Sequence, residues 1–170
     1  VSCSGDLKAD AFHGGRGVVW ARPFVVGACT HSGEEALLLA AVANASSDQG
    51  LLLAPRELSR IPALTRWLQA KCVSHALASG LKDGRVPRHI SVVLLDSYGL
   101  LASSLEGATA AFIGGTFKAR VGGHSPFEAW RAGAPIVTGP HIWAHESAFT
   151  QAQARVAPDE RGLSDALQFA

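Results

Sequence analysis

Short segments spread along the chain are dense in groups that could hold an anion. They are Thr30-His31-Ser32-Gly33-Glu34-Glu35, Pro55-Arg56, Asp96-Ser97-Tyr98-Gly99, Gly114-Gly115, Gly122-Gly123-His124-Ser125-Pro126-Phe127-Glu128 and Gly139-Pro140-His141. Paired glycines let a backbone approach a ligand closely, and a capped helix start offers unpaired N–H groups to negative charge. Ser125 reads as an N-cap, Pro126 as the first helical residue and Glu128 as the reciprocal capping-box partner. Arg56, placed just after an apolar run, suits bidentate contact with a phosphate or carboxylate. Glu128 has a second reading, as acceptor from a sugar hydroxyl. Together these groups describe a phosphate site.

Each of them also has a structural reading. Ser32 with Glu35 forms a capping box for the helix that follows, and Asp96 with Ser97 caps the next helix. His31, His124 and His141 have spacings that match no metal motif and read as hydrogen-bonding groups. Trp20, Trp67, Trp130 and Trp143 read as core or interface residues. No metal ligand set and no cofactor is expected.

The elements that must position these groups alternate between strand and helix. Buried strands are predicted at Phe24–Ala28, Leu51–Ala54, Ile90–Leu95, Ala110–Ile113 and Pro135–Thr138. Helices are predicted at Glu34–Ala45, Arg60–Ala70, Tyr98–Leu105, Phe127–Ala132 and His145–Ala154, with a last amphipathic piece from Leu163 to the end. The polar stretch Ser79–Arg88 reads as a loop. Strands without polar alternation are buried on both faces, so the fold class is α/β, a single Rossmann-like domain with a parallel sheet and helices on both faces. Residues 1–22 form a lead-in segment and 23–170 the core. In such sheets ligands bind beyond the carboxyl ends of the strands, and every segment named above follows a predicted strand.

Bulk properties narrow the classes. A chain of 170 residues supports one domain with a real core. With a net charge of +1 and 48% hydrophobic residues it has neither a nucleic-acid footprint nor a disordered composition. Its three cysteines, Cys3, Cys29 and Cys72, fit free thiols in a reducing compartment. The chain contains no methionine and begins at Val1, so it is expected to be a piece of something longer.

In order and content these turns resemble the C-terminal half of the bacterial Kdo (3-deoxy-D-manno-octulosonic acid) transferases of lipid A biosynthesis. Carrying the resemblance are Gly5-Asp6-Leu7-Lys8, the Thr30–Glu35 segment, Ala54-Pro55-Arg56, Asp96–Gly99, Phe112–Gly115, Gly122–Glu128 and Gly139-Pro140-His141. The resemblance implies one half of a GT-B glycosyltransferase, which moves Kdo from CMP-Kdo with inversion and without a metal. Thr30, His31, Ser32, Arg56, Ser97, Gly114, Gly115, Gly122, Gly123, His124, Ser125, Glu128 and His141 would then surround the CMP-sugar donor. The general base and acceptor site would belong to an N-terminal half, on the same precursor or another chain, and catalytic residues are expected there. An active enzyme of this kind would work at the cytoplasmic face of a membrane.

Several positions depart from the family pattern. Glu57 follows Arg56 where histidine is usual, Leu100 takes the place of a carboxylate, Ser125 of an asparagine, and Ala144 of another asparagine. A second reading therefore stands beside the first: a catalytically degraded relative kept as a structural or interaction subunit of a larger assembly.

Overall fold

The computed structural model describes residues 17–45 and 48–168. The Gly5–Lys8 segment and Cys3, named above, lie outside them. A seven-stranded sheet, parallel throughout, runs in the order β3-β4-β2-β1-β5-β6-β7. The strands are β1 (Phe24–Thr30), β2 (Gly50–Pro55), β3 (His75–Leu77), β4 (Val92–Leu94), β5 (Ala110–Ile113), β6 (Ile136–Thr138) and β7 (Arg155–Val156). The helices are α1 (Glu34–Ala45), α2 (Ile61–Ala70), α3 (Leu101–Ser104), α4 (Phe127–Arg131), α5 (Glu146–Gln151) and α6 (Gly162–Gln168). The α/β sheet with helices is therefore the architecture expected from the buried apolar runs.

Alternation along the central strands sorts the core into two layers. Val25, Leu51, Leu53, Val92, Leu94, Phe112 and Val137 face one side, where they meet Leu38 of α1, Leu64 and Leu68 of α2, and Leu163 and Leu167 of α6. Val26, Leu52, Val93, Ala111, Ile113 and Ile136 face the other, against Leu105, Ala129 of α4 and Phe149 of α5. With both faces covered, no polar alternation survives in these strands.

Some predicted elements differ. β3 and β7 go unpredicted because three half-buried and two exposed residues leave no apolar run to read. The helix expected over Tyr98–Leu105 contracts to α3, and that over His145–Ala154 to α5. Ser79–Arg88 contains two 3-10 turns, Ala78–Gly80 and Lys82–Gly84. Within the lead-in, Val19 forms a parallel bridge with Arg85 and Trp20 stacks on Phe24.

From β1 the chain moves to β2 on one side, whereas β5 pairs on the other. The carboxyl ends of β1 and β5 therefore flank the point where winding reverses, the position of the ligand crevice in sheets of this kind.

Candidate functional site

The end of β1 is bent by a bulge. Ala28 pairs with Ala54 and Thr30 with Pro55, which leaves Cys29 unpaired at φ 53° in the left-handed region. Beyond the bulge, Thr30 is fully buried and donates its hydroxyl to Glu35 Oε1 at 2.8 Å. Glu35 also holds Arg60 through two bonds of 2.6 and 3.0 Å. That carboxylate keeps the guanidinium charged and raises its pKa further, against the opposing effect of burial. Thr30, predicted as a ligand contact, is thereby committed to the protein.

Glu34 ties the crevice together. Its buried carboxylate accepts N–H bonds from His31 at 2.8 Å, Gly115 at 2.9 Å and Phe117 at 3.1 Å. One side chain thus clamps the loop after β1 to the loop after β5. The predicted capping box of Ser32 and Glu35 is absent: Ser32 is exposed without a cap bond, and Glu34 reaches back to His31 instead. The register is one residue earlier than expected.

The two glycine pairs also have a different role from the predicted one. A Cβ at Gly114 would stand 2.2 Å from the Cys29 carbonyl oxygen, and one at Gly122 would stand 2.3 Å from the Trp143 ring. Their amides are occupied as well: Gly114 N–H binds Ala28, Gly115 N–H binds Glu34, Gly122 N–H binds Lys118 and Gly123 N–H binds Gly115. Gly114 brings backbone against backbone and Gly122 makes room for Trp143, and the resulting loop carries the His124 N–H back to bond the Gly114 carbonyl at 3.1 Å. At α4 the helix starts one residue late, with Pro126 at the cap position. Ser125 Oγ accepts from Phe127 N–H only at 3.4 Å, and no reciprocal Glu128 bond forms.

His31 and His124 meet across the crevice with their Nε2 atoms 2.7 Å apart. The ring planes differ by 6° and the centroids lie 5.0 Å apart, so the rings are edge to edge in nearly one plane. One Nε2–H donates to the other Nε2. Burial first, then His31, Arg56 and His145, lower the pKa of His124 to about 4. His141 lies after β6, half-buried, with its N–H bonded to the Thr116 carbonyl, and is not part of this pair.

Beside the dyad, a cleft of about 180 Å³ opens between Arg56, Ser97, Tyr98, Gly99, Cys29 and Glu128. The Arg56 side chain has no partner among the described residues, and its N–H holds the Thr30 carbonyl. The surrounding protein raises the pKa of the Glu128 carboxyl even though the residue reaches the surface. Burial foremost, and then Glu128, raise that of the Cys29 thiol, while Arg56 opposes them. Asp96 does not cap the following helix; it accepts from Ser79 N–H and Oγ–H. Tyr98, 73% exposed, stands at the mouth of the cleft.

The structure thus brings Arg56, Ser97, His31, His124 and Glu128 to one rim, and turns Thr30 and the glycines inward as its support. Sequence reasoning missed Glu34 and Arg60 as supports, Cys29 as part of the lining, and Lys118, whose ammonium lies 3.6 Å from the position of a Cβ at Gly33. Among the described residues no three His, Cys, Asp or Glu side chains are grouped to hold a metal ion, and no helix is long and apolar enough to cross a membrane.

A parallel sheet with an anion-suited rim at its winding reversal defines a Rossmann-like domain, the architecture of one half of a GT-B fold. The fold aligns with the crystal structure of the C-terminal CMP-Kdo binding domain of WaaA from Acinetobacter baumannii, at a TM-score of 0.76 and 24% identity over 86% of this chain and 78% of that one. The 3-deoxy-D-manno-octulosonic acid transferase of Bordetella pertussis is 34% identical over 168 residues, covering 90% of this chain and 39% of the relative. The transferase of Chlamydophila psittaci is 35% identical over 92 residues, 54% of this chain and 21% of the relative. No family model matches. The chain corresponds to the C-terminal domain of the Kdo transferases it resembles, and spans about two fifths of the Bordetella relative.

Proposed function

We propose that this chain is the donor-binding half of a Kdo transferase, holding a CMP-activated acidic sugar for transfer to a lipid A precursor. An N-terminal half, on the same precursor or another chain, supplies the acceptor site and the general base. The observation that carries this reading is the pairing of an unpartnered Arg56 with Glu128 in one cleft beside the winding reversal. Arg56 suits the phosphate, whose charge grows as CMP leaves, and a fixed cation aimed at that charge stabilises the transition state. Glu128 suits ribose hydroxyls, which donate to a carboxylate. Ser97 adds a hydroxyl to the same wall.

Arg56→Ala and Glu128→Ala are each expected to weaken CMP binding by about 1–3 kcal/mol, the scale of a lost charge-assisted hydrogen bond. Calorimetric titration with CMP, with UMP as control, reads this directly. Unchanged affinity in both variants would remove the cleft from the donor site. The occupied amides of the glycine loop favour a second reading, a domain kept for its surfaces. A chain that melts cooperatively yet binds no CMP would favour that reading instead.

A further inference from the structure

Deepening the donor-binding reading, and resting on it, we propose that the His31–His124 dyad couples nucleotide binding to proton uptake: an anion bound beside Arg56 draws one proton from solvent onto the dyad.

The geometry sets how many charges the pair can hold. Only one hydrogen fits between nitrogens 2.7 Å apart, so one ring donates and the other accepts. A proton added at the outer Nδ1 of the donating ring leaves that junction intact and makes the pair a monocation. A second added proton would put hydrogens on both facing nitrogens and force the rings apart. The dyad therefore holds one positive charge in its native geometry, not two.

The surroundings decide when it does so. Arg56, His145 and the partner ring all oppose charge on His124, and burial does so most strongly. His124 is thus the accepting ring and His31 the donating one. Glu34 and Glu35 begin α1 just beyond His31, with Glu34 bound to the His31 amide and Glu35 engaged by Arg60. Lys118 stands beside Gly33 on the same rim. Glu128 acts from α4 on Cys29, within the neighbouring cleft. Arg56, which opposes charge on His124, ceases to do so when a phosphate neutralises it, and the phosphate then attracts positive charge on the dyad itself. Protonation and anion binding favour each other. Affinity is expected to rise as pH falls and to level off once the empty dyad is itself protonated.

The test is calorimetry of CMP binding at pH about 7.5, above the phosphate's own second pKa of about 6, in buffers of different ionisation enthalpy. The buffer dependence should report uptake of roughly 0.3 to 1 proton per site, and uncharged cytidine should give none. His31→Gln keeps an N–H to donate to His124 but cannot carry the charge. It should abolish the uptake and weaken CMP binding about tenfold. CMP binding with buffer-independent heats in the unmodified chain would overturn the proposal while leaving the donor site standing, as would undiminished uptake in a folded His31→Gln variant. Absence of CMP binding altogether would overturn both.

Discussion

Replacing Glu34 with alanine is expected to lower the stability of the chain by about 4 kcal/mol, among the largest effects of any single change around the site. Three backbone N–H groups converge on this carboxylate, from His31, Gly115 and Phe117. Removing it leaves the buried Gly115 N–H and the part-buried N–H groups of His31 and Phe117 without their acceptor. Bonds to a charged acceptor contribute about 1.5–3 kcal/mol each, and their sum is reduced because the three share one side chain. Glu34→Gln should fall between, at about 2 kcal/mol, since one oxygen remains but an amide N–H₂ now faces a donor. Urea denaturation measures both. A loss below about 1 kcal/mol for Glu34→Ala would mean that water replaces the carboxylate and that the two loops do not depend on it. CMP affinity should fall with stability, because the same bonds set the position of His31 opposite His124.

Gly114→Ala is expected to cost about 3 kcal/mol and to weaken CMP binding at least tenfold. The added methyl would stand 2.2 Å from the Cys29 carbonyl oxygen and 2.7 Å from Thr30 Cα, both backbone atoms that cannot swing aside. Relief requires β5 to separate from the bulge of β1, which carries away the Gly114 carbonyl that holds His124. Gly80→Ala is the matched control: no atom lies within 4 Å of the new Cβ, and its effect should stay within about 0.5 kcal/mol. Equal thermal shifts for the two variants would show that the crowding at Gly114 is absorbed without moving the strand.

Much of the fold can be read from the residues because burial writes itself into composition. Leu51–Ala54 and Ala110–Ile113 are continuous apolar runs since both faces of their sheet are covered. His75–Leu77 and Arg155–Val156 carry no such mark, being edge strands whose side chains are half-buried or exposed. At the site, the order of strand and turn is enough to bring His31, Arg56, Ser97 and Glu128 to one rim. The role of each residue there is less legible. A Gly-Gly pair looks the same whether it makes room for a ligand or for Cys29 and Trp143. Glu34 resembles any acidic first-turn residue until a partner 81 positions away is known. Ser125 and Glu128 fit a capping box, but the helix begins later, at Phe127, and frees Glu128 for the cleft.

The shared carboxylate of Glu34 also bears on the cost of recognition. Loops that must be ordered by their ligand charge about 1–2 kcal/mol per residue in lost backbone freedom against its affinity. Here that ordering comes from bonds within the protein, all made to one side chain. A nucleotide arriving at Arg56 would meet loops already fixed by Glu34, so that little of its contact energy is diverted to ordering them. Discrimination between bases would then rest on fit to a fixed contour, and changes to that contour should alter the dissociation rate more than the association rate.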